Sequence, residues 1–480
     1  MSVVSFNQQE TVAGEAPAEK DLSSDAAARG QGTTGYETLS VFETVKKFKM
    51  NAFICLLVAV SAAADGYQIG LIGNIVANPG FVEKFGTQRN ADGDIVLASN
   101  IMSTWGSMGS VGQIIGMTTL PFLSDRFGRK AAMFYYWLLL SLSVVLECVA
   151  SEWRVWLVAK LVGGIGVGCL QSTIPTYISE VAPVRARGAF LMSYSLWWTA
   201  GQFFAPVALQ VMSETDPYNY RTPIYTQWAL IGLMLLIYLI IPESPAWCAA
   251  TGNPKRAKKC LRIINKGVED FDLEHQYNLL VINVEHERAL ALEQRAVNWW
   301  AIFRKTDGLR TLISCWTLVA QQFIGLGVFA TYGSYFFQQA GIDDPFRVTC
   351  ITSGINIGAN VGLVANAATG WGFIGEISSQ RLRHYTAGYA AASSCVAGVI
   401  MSVLVPYMVN ANEWAWGLKT CWFFAGVGLP FTVAIWFLIP ETSGRSSAEL
   451  DELFERKIKP WRFHKTETVT QRIVEIKKQD

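Results

Sequence analysis

The sequence predicts an all-α membrane protein built from two related helical bundles, and three observations carry that prediction. Of 480 residues, 51% are hydrophobic and only 16% charged, against roughly 25% charged in soluble domains. Ten apolar runs have about the 20 residues that a helix needs to cross a bilayer. One charge pattern lying between such runs occurs twice: Glu180 is followed seven residues later by Arg187, and Glu376 seven residues later by Arg383. A pattern repeated between hydrophobic segments marks two halves of common design.

Residues 1–47 are polar, rich in Ala, Gly, Ser, Thr and Glu, and lack the apolar core of a cleavable leader. A disordered cytosolic tail is expected there. Residues 48–241 hold six spans, near 50–76, 98–123, 131–150, 153–178, 189–211 and 224–241, which make the first bundle. The 242–310 stretch is too polar to span. Leu279, Leu280, Ile282, Val284, Leu290 and Leu292 recur in it at partly helical spacing, so amphipathic helices beneath the membrane are expected. Residues 311–440 hold four spans, near 311–339, 348–370, 385–408 and 414–439, and 441–480 reads as a second tail. Lys46, Lys47, Lys49, Arg126, Arg129, Lys130, Arg185 and Arg187 all fall on one side of this topology. Basic residues are retained on the cytosolic side, so both termini are expected there.

Composition also excludes functions. A formal net charge of +1 provides no field for nucleic acid. Nine Cys show no paired metal-ligand spacing, and only four His are present, so neither metal nor cofactor is expected. Gly163, Gly164, Gly166 and Gly168 superficially fit a dinucleotide fingerprint. No strand precedes them, and close helix packing explains them better. Without a nucleophile set, metal cluster or phosphate loop, the chain does not read as an enzyme.

The distinctive motifs lie at the ends of spans. Ser124-Asp125-Arg126-Phe127-Gly128-Arg129-Lys130 follows the second, Pro242-Glu243-Ser244-Pro245 the sixth, and Pro440-Glu441-Thr442-Ser443-Gly444-Arg445 the last. With these motifs the chain resembles the sugar-porter branch of the major facilitator superfamily, from about residue 50 to 455. Within it, Gly66-Tyr67, Asn78-Pro79-Gly80-Phe81, residues 321–337 and 375–383, and Pro406-Tyr407-Met408 are similar to fungal maltose or α-glucoside permeases. The resemblance implies two bundles that rock about a central site, a small-molecule substrate of the sugar class, and a place in the plasma membrane. It implies a cytosolic gate of Asp125, Arg126, Gly128, Arg129, Lys130, Glu180, Arg187, Glu243, Glu376, Arg383, Glu441 and Arg445, with Asp125 pairing Arg129 and Glu180 pairing Arg187. Ion pairs reached by water cost little to break.

For substrate binding, Gln321 and Gln322 match the family's paired glutamines, Tyr332 a nearby aromatic, Asn356 an amide, and Trp371 a ring-stacking tryptophan. Gly327 stands where many members carry Asn, and Cys395 replaces a polar residue, so the pocket is depleted. Symporters of the family carry Gly-Tyr-Asp in the first span. Here Gly66-Tyr67-Gln68 occupies that place and Gln cannot titrate, which leaves Asp65 as the intramembrane carboxylate for coupling. Facilitated diffusion and coupling to protons both remain open.

Spacing also predicts a shortened second half. Asp125 precedes Glu180 by 55 residues, but the position 55 before Glu376 is Gln321, inside a span. The family has twelve spans, and the absent part corresponds to the loop after the eighth, the ninth and most of the tenth. The junction falls in 363–371. Losing two spans preserves parity, yet leaves their neighbours without packing partners. Alternative readings are an exporter of a small secondary metabolite, favoured by Gly327, Cys395 and Gln68, a transport-impaired deletion product, and a non-transporting sugar sensor. The 40 residues from Glu441 to Asp480 argue against the sensor.

Overall fold

The expected spans are helical as far as the structure describes them. A computed structural model describes residues 40–89, 93–183, 186–268, 271–296, 299–303, 305–362, 377, 383–410, 412–440, 453–454, 456 and 458–466. In the first half, α1 (Val41–Lys47) leads into a first span made of α2 (Lys49–Ala59) and α3 (Ala62–Asn74). A short α4 (Pro79–Phe85) and a two-stranded hairpin (β1 Gln88–Arg89, β2 Ile95–Val96) follow. Then come α5 (Ser99–Phe127), α6 (Arg129–Val149), α7 (Trp153–Val181), α8 (Arg187–Thr215), α9 (Arg221–Tyr225) and α10 (Gln227–Ile240). The linker forms α11 (Pro245–Ala250), α12 (Pro254–Ile264) and α13 (Leu273–Ala296). The second half has α14 (Lys305–Phe323), α15 (Leu326–Gln339), α16 (Pro345–Gly362), α17 (Arg383–Val409) and α18 (Thr420–Leu438).

Three boundaries differ from expectation. Residues 41–47, assigned to the first tail, are helical because Ser40 and Glu43 form a capping box, which satisfies two orphan N–H groups reciprocally. α14 starts at Lys305 instead of 311. In the second tail, Leu453, Phe454 and Phe463 are buried against Ile313 and Ile377, so hydrophobic burial draws this part of the chain back onto the helices. Residues 1–39 and the 363–371 junction lie outside the described residues.

Six described helices are long and apolar enough to cross a membrane: Lys49–Ala77, Arg129–Val149, Trp153–Val181, Arg221–Ile240, Tyr389–Val409 and Thr420–Leu438. The other four expected spans coincide with α5, α8, the α14–α15 pair and α16, and each of these touches the opposite half: α5 packs on α17, α8 on α16, and α15 on α3. Their lower apolarity has a physical reason, since a helix that faces protein needs less hydrocarbon on its surface than one that faces lipid.

Within the first half, α7 lies against both α5 and α6, and α3 against α8. The glycine string on α7 serves the first of these contacts. A Cβ on Gly164 would strike the Gly109 carbonyl, and one on Gly168 the Gln113 carbonyl, so the backbones approach as only glycine permits. The halves meet in an aromatic core where Phe81, Trp105 and Trp156 join Tyr332, Phe336, Met401 and Phe424. Hydrogen bonds reinforce the meeting at the end away from the 124–130 loop. The Ser334 N–H donates to Asn74 Oδ1 (2.9 Å), Ser103 Oγ donates to the Val403 carbonyl (3.0 Å), and Asn410 Nδ2 donates to Ser99 Oγ (2.7 Å).

Candidate functional site: a charged hub and a buried carboxylate

At the loop end of the first half, Arg129 is the hub. Its Nη1 contacts Asp125 Oδ1 at 2.7 Å and donates to Ser124 Oγ at 2.8 Å. Its Nη2 contacts Glu180 Oε1 at 2.7 Å, and Nε donates to the same carboxylate. A guanidinium forked onto a carboxylate is the strong form of ion pair, and Arg129 keeps only 13% of its side-chain exposure. The family resemblance implied a Glu180–Arg187 pair; among the described residues the ion pair of Glu180 is to Arg129, because α6 and α7 lie side by side and bring the guanidinium across the gap.

Glu243 also departs from the role expected of it. It is buried, and its carboxylate accepts the backbone N–H groups of Arg129 (3.0 Å), Lys130 (3.1 Å) and Ser244 (3.0 Å). It therefore caps the positive N-terminus of α6, and none of the ion pairs among the described residues includes it. Gly128 makes this possible: its φ is +104°, and a Cβ there would stand 2.5 Å from Glu243 Oε2. Lys130 Nζ donates to the Leu239 and Ile241 carbonyls at the end of α10, and Arg126 lies over the Phe127 ring. Trp247 Nε1 donates to the Asp125 carbonyl (2.8 Å), which fastens the linker to the same hub. All these bonds knit the first half and its linker. Glu376, Glu441 and Arg445 lie outside the described residues, and Arg383 is described only as the start of α17.

A second constellation lies inside the first half, and sequence reasoning missed it. Glu147 on α6 and Lys160 on α7 form an ion pair at 2.8 Å with both side chains fully buried. Gln68 Nε2 donates to Glu147 Oε1 (2.6 Å), and Gln227 Nε2 to Oε2 (2.9 Å). Ser143 Oγ adds a longer bond (3.4 Å), and Lys160 Nζ sits 4.4 Å from the centre of the Trp156 ring. Four helices, α3, α6, α7 and α10, thus converge on one carboxylate. The available signal was a Glu and a Lys inside apolar runs, which is costly unless they are paired. Asp65 is also buried. Its Oδ2 accepts from Gln171 Nε2 (3.0 Å) and Tyr194 Oη (3.3 Å), and none of the ion pairs among the described residues includes it.

The expected substrate residues that are described lie on three successive helices. Gln321 is exposed and Gln322 half-buried at the end of α14, the latter with Oε1 4.0 Å from where a Cβ on Gly398 would lie. Tyr332 is buried in the contact between halves, its hydroxyl near Gly106, at a break in α15 where φ is −110° and ψ 21°. Asn356 is half-buried on α16, and Trp371 lies outside the described residues. No pocket described here groups these five residues.

The family model for sugar (and other) transporters matches residues 54–366 and 361–454. The chain belongs to this family. The match divides inside the region where spacing places the junction. A general alpha-glucoside permease of Saccharomyces cerevisiae is 26% identical over 493 residues, covering 90% of this chain and 79% of that protein. Since 90% of 480 residues is 432, some 61 aligned positions of that permease face no residue here. The MFS transporter fmqE of Aspergillus fumigatus is also 26% identical, over 467 residues, covering 85% of this chain and 87% of that one. Among solved structures, the inward-open xylose transporter XylE of E. coli shares the fold with a TM-score of 0.64 at 19% identity, covering 84% of this chain and 99% of that one. The family member is thus a multi-pass integral membrane protein with the major facilitator fold.

Proposed function

We propose that this protein carries a sugar of the α-glucoside or hexose class across the plasma membrane by alternating access, with both termini in the cytosol. The observation that carries this reading is the family match over residues 54–454, with an α-glucoside permease aligned to nine tenths of the chain. The geometry supplies the moving part. Hub and buried carboxylate make the first half one body, while the second half touches it through α3–α15, α5–α17 and α8–α16. Hydrogen bonds at Asn74, Ser103 and Asn410 close the end away from the hub, so rocking about this seam opens one end as it closes the other. Gln321, Gln322, Tyr332, Asn356 and Trp371 are the substrate contacts in this reading, and Asp125, Arg129 and Glu180 form the first half's share of the gate. Labelled maltose and glucose uptake in yeast cells stripped of their own carriers tests it. Saturable uptake of either is expected, and none of either sinks the sugar reading.

A second reading, an exporter of a small secondary metabolite, draws on the equal identity to fmqE and on the shortened second half that spacing predicts. Loss of part of a pocket wall favours substrates larger or less polar than a sugar.

A further inference from the structure

Symporters of the family place their carboxylate at the position of Gln68. In this chain the Gln68 amide donates to a carboxylate on the neighbouring helix, Glu147 Oε1, at 2.6 Å. Building on the transport reading above, we propose that Glu147 is the proton-binding group of the carrier, that Lys160 is its fixed counter-charge, and that Gln68 and Gln227 are positioning residues that hold it in either protonation state.

The chemistry of the cradle supports this. A buried carboxylate can exchange a proton only if both of its states are satisfied. The ionised form is balanced by Lys160 at 2.8 Å and receives both amides. For the protonated form, an amide can turn to present its carbonyl and accept the new O–H. Asp65 has no cation paired with it among the described residues, where its carboxylate is held by the Gln171 and Tyr194 hydrogen bonds. The groups that face Glu147 are Lys160 from α7, Tyr67 and Gln68 from α3, Gln227 from α10, and Ser143 and Cys148 from α6 itself, with Arg221 of α9 near Cys148. Beside Gln68 and Gln227 lies a cavity of about 10 Å³, lined also by Tyr67 and Leu140; one water needs roughly this volume. Glu147 is two residues from the end of α6 opposite the charged hub, so the cavity is near the side from which a symported proton enters.

The step balances simply. A hydronium ion gives its proton to a Glu147 oxygen and leaves as water, Lys160 keeps its three protons, and the pair passes from neutral to a single positive charge. Release on the other side reverses it. Each cycle therefore moves one charge, and a membrane potential drives it as a pH gradient does.

The full-length chain in proteoliposomes, with labelled maltose as probe, tests the proposal. Native protein is expected to accumulate maltose under an inward proton gradient. Glu147→Gln is expected to lose accumulation about tenfold while sugar counterflow, which needs no net proton movement, falls less than about threefold. Glu147→Gln mimics the protonated state, in which Lys160 carries the pair's single positive charge, and Glu147→Gln/Lys160→Gln, which removes that charge, is measured in parallel with the same expectation. Normal accumulation in both variants, or its loss in Asp65→Asn alone, overturns the proposal. An infrared readout is independent of the substrate: the difference spectrum between acidic and alkaline buffer is expected to show a buried carboxylic C=O band in the native protein that is absent from the double variant. Survival of the whole band there also overturns the proposal. Native protein that moves no maltose in either mode defeats the sugar reading, and the infrared band then decides the proton site by itself.

Discussion

The last span of each half shows what the halves do not share. In α9 and α10, the sixth span, 39% of the membrane window is buried within the protein; in α18, the last, the figure is 11%. Trp422 and Trp436 on α18 are 78% and 80% exposed, and on α16 Ile351 and Ile355 are 55% and 67% exposed. The first half owes its packing to α7, which sits between α5 and α6 and is 61% buried. Residues 363–371, where spacing places the junction, fall between α16 and α17 and lie outside the described residues. A bundle in lipid gains little from apolarity and depends on close backbone contact and buried polar bonds. The first half has both, through Gly164 and Gly168 and through Glu147. On α16 the glycines Gly354 and Gly358 make no such close backbone approach.

The largest test adds two spans at the junction that spacing predicts. Grafting the ninth and tenth spans of the Saccharomyces cerevisiae permease into 363–371 is expected to raise sugar uptake by at least about tenfold, a gain of about 1.4 kcal/mol in transition-state stabilisation. A grafted chain that transports no better than the native one would mean that four spans suffice and that the asymmetry is functional.

The hub should dominate stability. Arg129→Ala leaves Glu180 and Asp125 without their shared cation, and removing one partner of a largely buried pair costs about 3 kcal/mol. Thermal unfolding in detergent measures it. A change below about 0.5 kcal/mol would reduce the hub to an ordinary surface pair.

Glycines compare the halves directly. Gly168→Ala drives a methyl into the Gln113 carbonyl and should cost about 2 kcal/mol through overpacking. Gly358, on α16, has no atom within 4 Å of where a Cβ would lie, so Gly358→Ala should stabilise by up to about 1 kcal/mol through helix propensity. Equal losses at both sites would show that α16 is packed as tightly as α7, and the comparison would fail.

These contrasts mark how far the sequence could be read. Span positions, the packing role of the α7 glycines and the importance of the 124–130 loop were all legible, because apolar length, small-residue spacing and a local motif are one-dimensional signals. The partner of Glu180 was not. The family resemblance offered Arg187, seven residues away, whereas Arg129 is 51 residues away and reaches it only through the α6–α7 contact. Glu147 and Lys160 escaped for the same reason: each alone looks like a polar residue near a span end, and only the fold brings them to 2.8 Å. Gln68 was read as a lost function, although its amide is the donor that touches the carboxylate next door.

The linker provides the finest test, because the same tertiary contacts should hold it. Cys248 on α11 and Cys260 on α12 are both buried beneath the hub. The Cys248 thiol beside it holds the Cys260 thiol below its ordinary range; burial opposes this, and the Arg256 charge assists it. A thiol held low is thiolate above its own pKa, so alkylation of Cys260 by iodoacetamide should rise at a lower pH than that of an ordinary thiol, and Cys248→Ala should move that midpoint up. Arg129→Ala decides whether the linker belongs to the first half. If Trp247 holds α11 in place through the Asp125 carbonyl, loosening the hub shifts the Cys260 midpoint upward as well. An unmoved midpoint would make α11 and α12 a self-supporting unit, and the rigid first half would then end at α10.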